Sequence, residues 1–307
     1  MKKVKVFAPG SIGNVGSGFD VFGLALDGLG DILEVKESSN GKLNILKIEG
    51  DDGISTDPDK NIVTVGAKAL LKEVGSDQGY DFIIKKGVLA GSGLGSSGSS
   101  ATAGVFAINE LLGNPYTREE LLPFAAIGEK VASFIPHYDN VAPSMLGGFT
   151  VVRSDDPLEI LQVDIPENLH LALVRPNVMI KTKEAKKMLG ETMLISNAVH
   201  QFGNIAGLII GMHRNDIPLI GRSVEDKLAE PVRSKLIPNY NIAKEAALNS
   251  GAAGFNISGS GPAMFAICDG KVVTENVIEA LREVYQDDEK ANYYISKSDL
   301  LGTRRID

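Results

Sequence analysis

A chain of 307 residues, 43% hydrophobic and 23% charged, has the composition of an ordinary globular protein that buries its core without disulfide or metal staples. That balance excludes disorder, coiled coil and collagen, and no stretch approaches the ~20 apolar residues of a membrane span. Lys and Arg total 31 against 39 Asp and Glu, a net charge of −8, so a basic nucleic-acid footprint is missing.

The chain opens Lys-Lys-Val-Lys-Val-Phe-Ala, which lacks the apolar core of a signal peptide and alternates like a strand over Lys3–Ala8. The same period predicts strands at Ile32–Lys36, Leu43–Ile48 and Tyr80–Lys85. Ile62, Val65 and Ala69 fall on one helical face, giving a helix over Asn61–Val74 with Asn61 as its cap. Ser96–Leu112 reads as a small-residue helix. Thr117–Ala132 reads as another, opened by Thr117 and Glu120 at capping-box spacing. Phe149–Val152, Glu159–Val163 and Leu169–Val174 return to strand character. Helices are expected at Thr182–Leu189, Thr192–His213 and Tyr240–Asn249, then a strand–glycine turn–strand unit at Phe255–Ile267. Val277–Tyr285 and Ala291–Ser296 give a last helix and a last strand. This order lacks a regular βαβα alternation, so the class is α+β. A domain boundary is expected near Pro166, dividing the chain into 1–165 and 166–307. The lone cysteine, Cys268, cannot pair within the chain, and a cytoplasmic location is expected.

The 34 glycines cluster at 10–30, 87–98 and 251–261, where backbone must approach something closely. Gly91–Ser100 is glycine and serine except for Leu94, with a strand leading in and a helix leading out. Its N–H groups and the helix dipole suit an anion. The bland alternative is a tight turn before a closely packed helix. Gly93–Gly98 also matches GxGxxG, but a second helix follows where a dinucleotide fold needs a strand with an acidic residue. GxxxxGK[ST] is absent, as are the HRD and DFG signatures of protein kinases.

The loop closely resembles the phosphate-binding motif of the GHMP kinases, and the likeness extends well beyond it. Ala8–Leu26 is similar to the first family motif in its homoserine kinase form, without the Gly-Glu-His element of galactokinase and mevalonate kinase. Phe255–Met264 resembles the third motif, and His137–Phe149 and Glu230–Tyr240 resemble homoserine kinase segments. The resemblance implies a ribosomal-protein-S5-like N-terminal domain carrying the ATP-phosphate loop and a ferredoxin-like C-terminal domain. It implies ATP-dependent phosphorylation of the L-homoserine side-chain hydroxyl, a step towards threonine, with Mg²⁺. Partners are then small molecules, with no nucleic acid or membrane, and a homodimer is a family expectation. The alternatives are another GHMP kinase, acting on mevalonate or a sugar, and a non-catalytic amino-acid-binding member of the fold.

By the same resemblance Val88, Leu89, Ala90, Gly91, Ser92, Gly93, Leu94, Gly95, Ser96, Ser97 and Gly98 hold nucleotide phosphates, together with Gly259, Ser260 and Gly261. Ser97 and Glu129 are the implied magnesium ligands; without the resemblance, Glu129 reads as a solvated helix carboxylate. Homoserine is a zwitterion. Asp20 suits its ammonium, Asn14 the same end or the hydroxyl, and Arg233 its carboxylate through a planar fork, with His137 as a helper. Family members often carry arginine where this chain has Lys186, in Thr182-Lys183-Glu184-Ala185-Lys186, which keeps the charge and loses the fork. For the acceptor proton two readings stand: Asp139 as base, or Asn140 orienting the hydroxyl in a base-free transfer, the reading favoured here. Thr182 is expected near the same point.

Overall fold

A computed structural model describes residues 1–51, 53–131, 136–180, 185 and 187–307. The alternation at the start of the chain carries further than the sequence suggests: β1 spans Lys3–Gly13 and pairs antiparallel with a long β2, Phe22–Ser38. Residues 8–13 are buried throughout, so no polar face marks them as strand. The register shifts between Pro9 and Ser11, where a Cβ on Gly10 would lie 2.7 Å from the Leu94 carbonyl oxygen. With β3 (Leu43–Glu49), β4 (Gly79–Lys85), β5 (Phe149–Asp155), β6 (Leu158–Val163) and β11 (Arg304–Arg305), these strands form a seven-stranded sheet. Its path is β11-β1-β2-β4-β3, with β5 on β2 and β6 on β5.

Helices α1 (Ile62–Glu73), α2 (Ser96–Leu112), α3 (Arg118–Glu129) and α4 (Tyr138–Leu146) share a core with this sheet, built on Val6, Leu33, Phe82, Leu70, Val105 and Leu121. Asn61 caps α1 by accepting from the Val63 N–H, and Thr117 and Glu120 close the expected capping box on α3. Helix α2 is buried along nearly its whole length, which explains its small residues: a Cβ on Gly104 would lie 2.1 Å from the Val63 carbonyl. Helix α4, which was not expected, contains Pro143. Proline removes the N–H that would bond the Asp139 carbonyl. That carbonyl instead packs on Gly23, where a Cβ would lie 1.9 Å away.

The second sheet is antiparallel, with β7 (Leu169–Arg175), β8 (Gly254–Ile257), β9 (Met264–Asp269) and β10 (Asn292–Ser296) in the order β10-β7-β9-β8. This is the ferredoxin-like strand order. Side chains of β7 alternate between two cores. Ala172 and Val174 face Phe255, Val277 and Leu281. Leu171 and Leu173 join Leu208, Ile220, Phe22 and Leu94. The latter core is shared with the first sheet and fixes the glycine loop between the two sheets. The helices are α5 (Ile195–Arg214), α6 (Ile217–Ser223), α7 (Glu230–Arg233), α8 (Tyr240–Asn249) and α9 (Gly270–Val284). Helix α5 starts later than Thr192 and α9 much earlier than Val277. Of the helix expected at Thr182–Leu189, residues 182–184 and 186 lie outside the described residues.

Candidate active site

Three glycine segments meet where the two sheets join. Gly91, Gly93 and Gly95 hold φ values of +67°, +83° and +67°, open to glycine at no steric cost. A Cβ on Gly95 would lie 2.1 Å from Ser11 Oγ, and one on Gly93 2.8 Å from the Gly261 carbonyl carbon. The Ser11 N–H donates to Leu94 O (3.0 Å) and the Ala263 N–H to Ser92 O (3.1 Å). Helix α2 begins at Ser96 with no side-chain cap, so its first N–H groups remain for an anion.

These segments wall a cavity of about 420 Å³. Ala90, Gly91, Ser92, Gly93, Gly95, Ser96 and Ser97 line it, with Gly259 and Ser260. The other five expected phosphate contacts are not among the residues that line it. Val88 and Leu94 turn into the core, and Leu89 is exposed. Gly98 packs on the Asn140 backbone, and Gly261 faces the apolar tips of Ile237, Ile257 and Ile180.

Helix α3 ends at Glu129, 3% exposed, and Ser97 Oγ donates to its Oε1 at 2.8 Å. His137 Nδ1 lies 3.6 Å from the same oxygen. Hydrogen bonding to Glu129 raises the His137 pKa, against its burial.

Asn14, Asp20 and Arg233 line the same cavity. Asn14 Nδ2 and Arg233 Nη1 both donate to Gly259 O, at 3.0 and 2.9 Å, and Asn14 Oδ1 accepts from the Asp20 N–H at 2.9 Å. The Arg233 guanidinium lies 5.2 Å from the Phe19 ring centre. Its Nε has no hydrogen-bond partner among the described residues, though Arg233 is buried.

Asp139 and Asn140 open α4 beneath these groups and also line the cavity. Ser11 Oγ donates to Asn140 Oδ1 at 3.1 Å, and the Asn14 N–H to Asp139 Oδ2 at 3.2 Å. Asp139 Oδ1 is buried without a partner among the described residues. Burial, helped by the negative charge of Asp20, pushes the Asp139 carboxyl up to about 6. Thr182 and Lys186 lie outside the described residues.

Sequence reasoning missed a buried ion pair under the loop. Lys86 Nζ pairs with Asp31 Oδ2 and donates to Ser100 Oγ at 2.7 Å. Asp31 Oδ1 accepts from the Gly87 and Val88 N–H groups at 3.1 and 3.4 Å. A lysine at the end of an alternating strand reads as a solvated terminus, so no local signal marked it.

The GHMP kinases N terminal domain matches residues 61–148 and the GHMP kinases C terminal matches 208–287. A homoserine kinase of Chloroherpeton thalassium is 42% identical over 297 residues, 93% of each chain. One of Pyrococcus abyssi is 39% identical over 300 residues, 97% of this chain and 98% of the other. The crystal structure of homoserine kinase from Cytophaga hutchinsonii superposes with a TM-score of 0.96 at 41% identity, covering all of this chain and 98% of that one.

The chain belongs to the homoserine kinase family of the GHMP kinases. The α+β fold is that of this family, as the resemblance implied. A Leishmania major mevalonate kinase, 14% identical with a TM-score of 0.76 over 97% of this chain and 96% of its own, shares the fold. In this homoserine kinase family member the Ser97–Glu129 contact joins residues 32 apart in sequence. It forms because α2 begins where α3 ends.

A carboxyl whose pKa rises on folding favours the folded state below its unfolded pKa, and that contribution is lost as pH rises through about 6. Asp139→Asn keeps an acceptor for the Asn14 N–H and removes the buried charge. Thermal and denaturant unfolding without nucleotide should show the variant more stable than wild type at pH 8, by up to about 3 kcal/mol. The gain should shrink to nearly nothing at pH 4.

Proposed function

We propose that this kinase transfers the γ-phosphoryl group of ATP to the side-chain hydroxyl of L-homoserine, giving O-phospho-L-homoserine, a step towards threonine. One observation carries the reading: a single cavity holds an anion-binding glycine loop together with an exposed carboxylate, Asp20, and a buried guanidinium with an unused N–H, Arg233. Phosphates suit the first and a zwitterionic amino acid suits the other two.

Phosphoryl transfer depends mainly on positioning and charge neutralisation. The N–H groups of the loop and of the first turn of α2 hold the phosphates. Ser97 and Glu129 offer a hydroxyl and a carboxylate oxygen 2.8 Å apart, hard donors that fit Mg²⁺, which commonly takes one or two protein oxygens beside phosphate. When bound there, the ion supplies neutralisation of charge on the phosphates. No group of three or more His, Cys, Asp or Glu among the described residues forms a separate metal cluster.

Asp20 faces the substrate ammonium, Arg233 offers its guanidinium to the carboxylate, and Asn14 fixes the loop between them. For the proton, the reading shifts from Asn140 to Asp139. Asn140 Oδ1 is already engaged by Ser11. Asp139 has an unpartnered oxygen and a carboxyl near 6, so it is ionised at neutral pH and basic enough to accept a proton.

With ATP and Mg²⁺, an assay of ADP release over homoserine, mevalonate and galactose should show turnover with homoserine only; turnover with another acceptor alone overturns the proposal. Arg233→Ala should raise the KM for homoserine at least ~30-fold, since stripping a partner from a desolvated charge costs about 2–5 kcal/mol, and leave the KM for ATP nearly unchanged. Asp139→Asn should lower kcat ~10²-fold or more and abolish an acidic limb near pH 6 in the kcat profile. Retention of both would return the proton to a base-free transfer oriented by Asn140.

A further inference from the structure

We infer that Gln201, with Asp226, is a positioning residue for the acceptor substrate, locking the loop that carries Asn14 and Asp20 to the turn that carries Arg233. The inference rests on the proposed reading of that end of the cavity as the homoserine site.

Gln201 lies on α5, set back from the cavity and 5% exposed. All of its polar capacity is directed at two segments. Its Nε2 donates to Ser17 O at 2.7 Å and to Asp226 Oδ1 at 2.9 Å, and its Oε1 accepts from the Lys227 N–H at 2.9 Å. Asp226, also 5% exposed, accepts in addition from the N–H groups of Leu228, Ala229 and Glu230 at 2.7, 2.9 and 2.8 Å. Through the Glu230 N–H it anchors the start of α7, and the last residue of α7 is Arg233. Ser17 lies between Asn14 and Asp20 on the other segment.

The two segments also meet as backbone. Gly16 holds φ +72°, and a Cβ there would lie 2.0 Å from the Val224 carbonyl oxygen. Phe19 beneath the Arg233 guanidinium closes the contact farther along. A zwitterion needs its cation and anion partners at a fixed separation, and small misplacements forfeit the benefit of both. Gln201 bridges the segments that carry them. The phosphate loop hangs from β1 and from Ala263 through Ser11 N–H···Leu94 O and Ala263 N–H···Ser92 O, none of which passes through Gln201. Its loss therefore acts on homoserine and spares ATP.

Steady-state kinetics and thermal unfolding of the full chain test this, with Gln201→Met, Asp226→Asn and, as a surface comparison on the same helix, Val199→Ala. Gln201→Met leaves buried acceptors unpaired, and the KM for homoserine should rise about tenfold. The KM for ATP should stay within about twofold, and Val199→Ala should move neither. A purely structural role would lower the unfolding temperature without splitting the two KM values. Equal changes in both, or no change in a folded variant, overturn the inference. If Gln201→Met does not fold, Asp226→Asn decides on the same split. A rise for Arg233→Ala without one for Gln201→Met overturns this inference alone, whereas no homoserine-dependent turnover by wild type overturns the reading beneath it.

Discussion

Everything in the site depends on backbone packed against backbone without side chains between. Gly93 lies on Gly261, Gly95 on Ser11 and Gly16 on Val224, each at separations that a Cβ would violate. These contacts bring a loop from the first sheet, a turn from the second sheet and the end of β1 around one cavity. Polar groups freed by this arrangement are shared: Gly259 O alone accepts from both Asn14 and Arg233. One carbonyl of the glycine turn thus orients two residues carried by different segments.

The loop also needs a rigid base, and the Lys86–Asp31 pair supplies one. A buried ion pair loses much of its Coulombic gain to desolvation unless its remaining donors and acceptors are satisfied. Here Asp31 also accepts from Gly87, Val88 and Ser100, and Lys86 also donates to Ser100 and to the Ser96 carbonyl. The pair joins β2, the end of β4 and the first turn of α2. Asp31 thus neutralises the Lys86 ammonium beside the first turn of α2.

Charge around the acceptor end is arranged in opposed layers. Asp20 is open to the cavity and Asp139 lies buried below it, where burial and then the negative charge of Asp20 push its carboxyl up to about 6. Burial weakens the protonation of Arg233, while Asp20, Asp226 and Asp139 support it. The guanidinium is thus held charged by three carboxylates while part of its fork stays unpaired. In the proposed reading, this is the group that meets the substrate carboxylate.

Periodicity, capping and the glycine clusters were local properties, and they carried far. The Asn61 cap, the Thr117–Glu120 box, the bounds of α2 and α8, and the α+β class followed from neighbouring residues alone. The family likeness rested on contiguous motifs, and it pointed to Ser97 and Glu129 before any geometry placed them 2.8 Å apart. Tertiary structure decided the rest, since long-range packing leaves no local period. Continuous burial hid the second half of β1, and α4, with Pro143 inside it, was not expected. Val88 and Leu94 turned inward because the core shared by both sheets takes them, although they sit within a phosphate motif. Asp31, Lys86, Gln201 and Asp226 read as ordinary polar residues in sequence. Only folding gives each its partners, from segments 26 to 184 residues apart for Asp31 with Lys86 and Gln201 with Ser17 and Lys227, because a polar side chain acquires its role from the donors and acceptors that burial leaves within its reach.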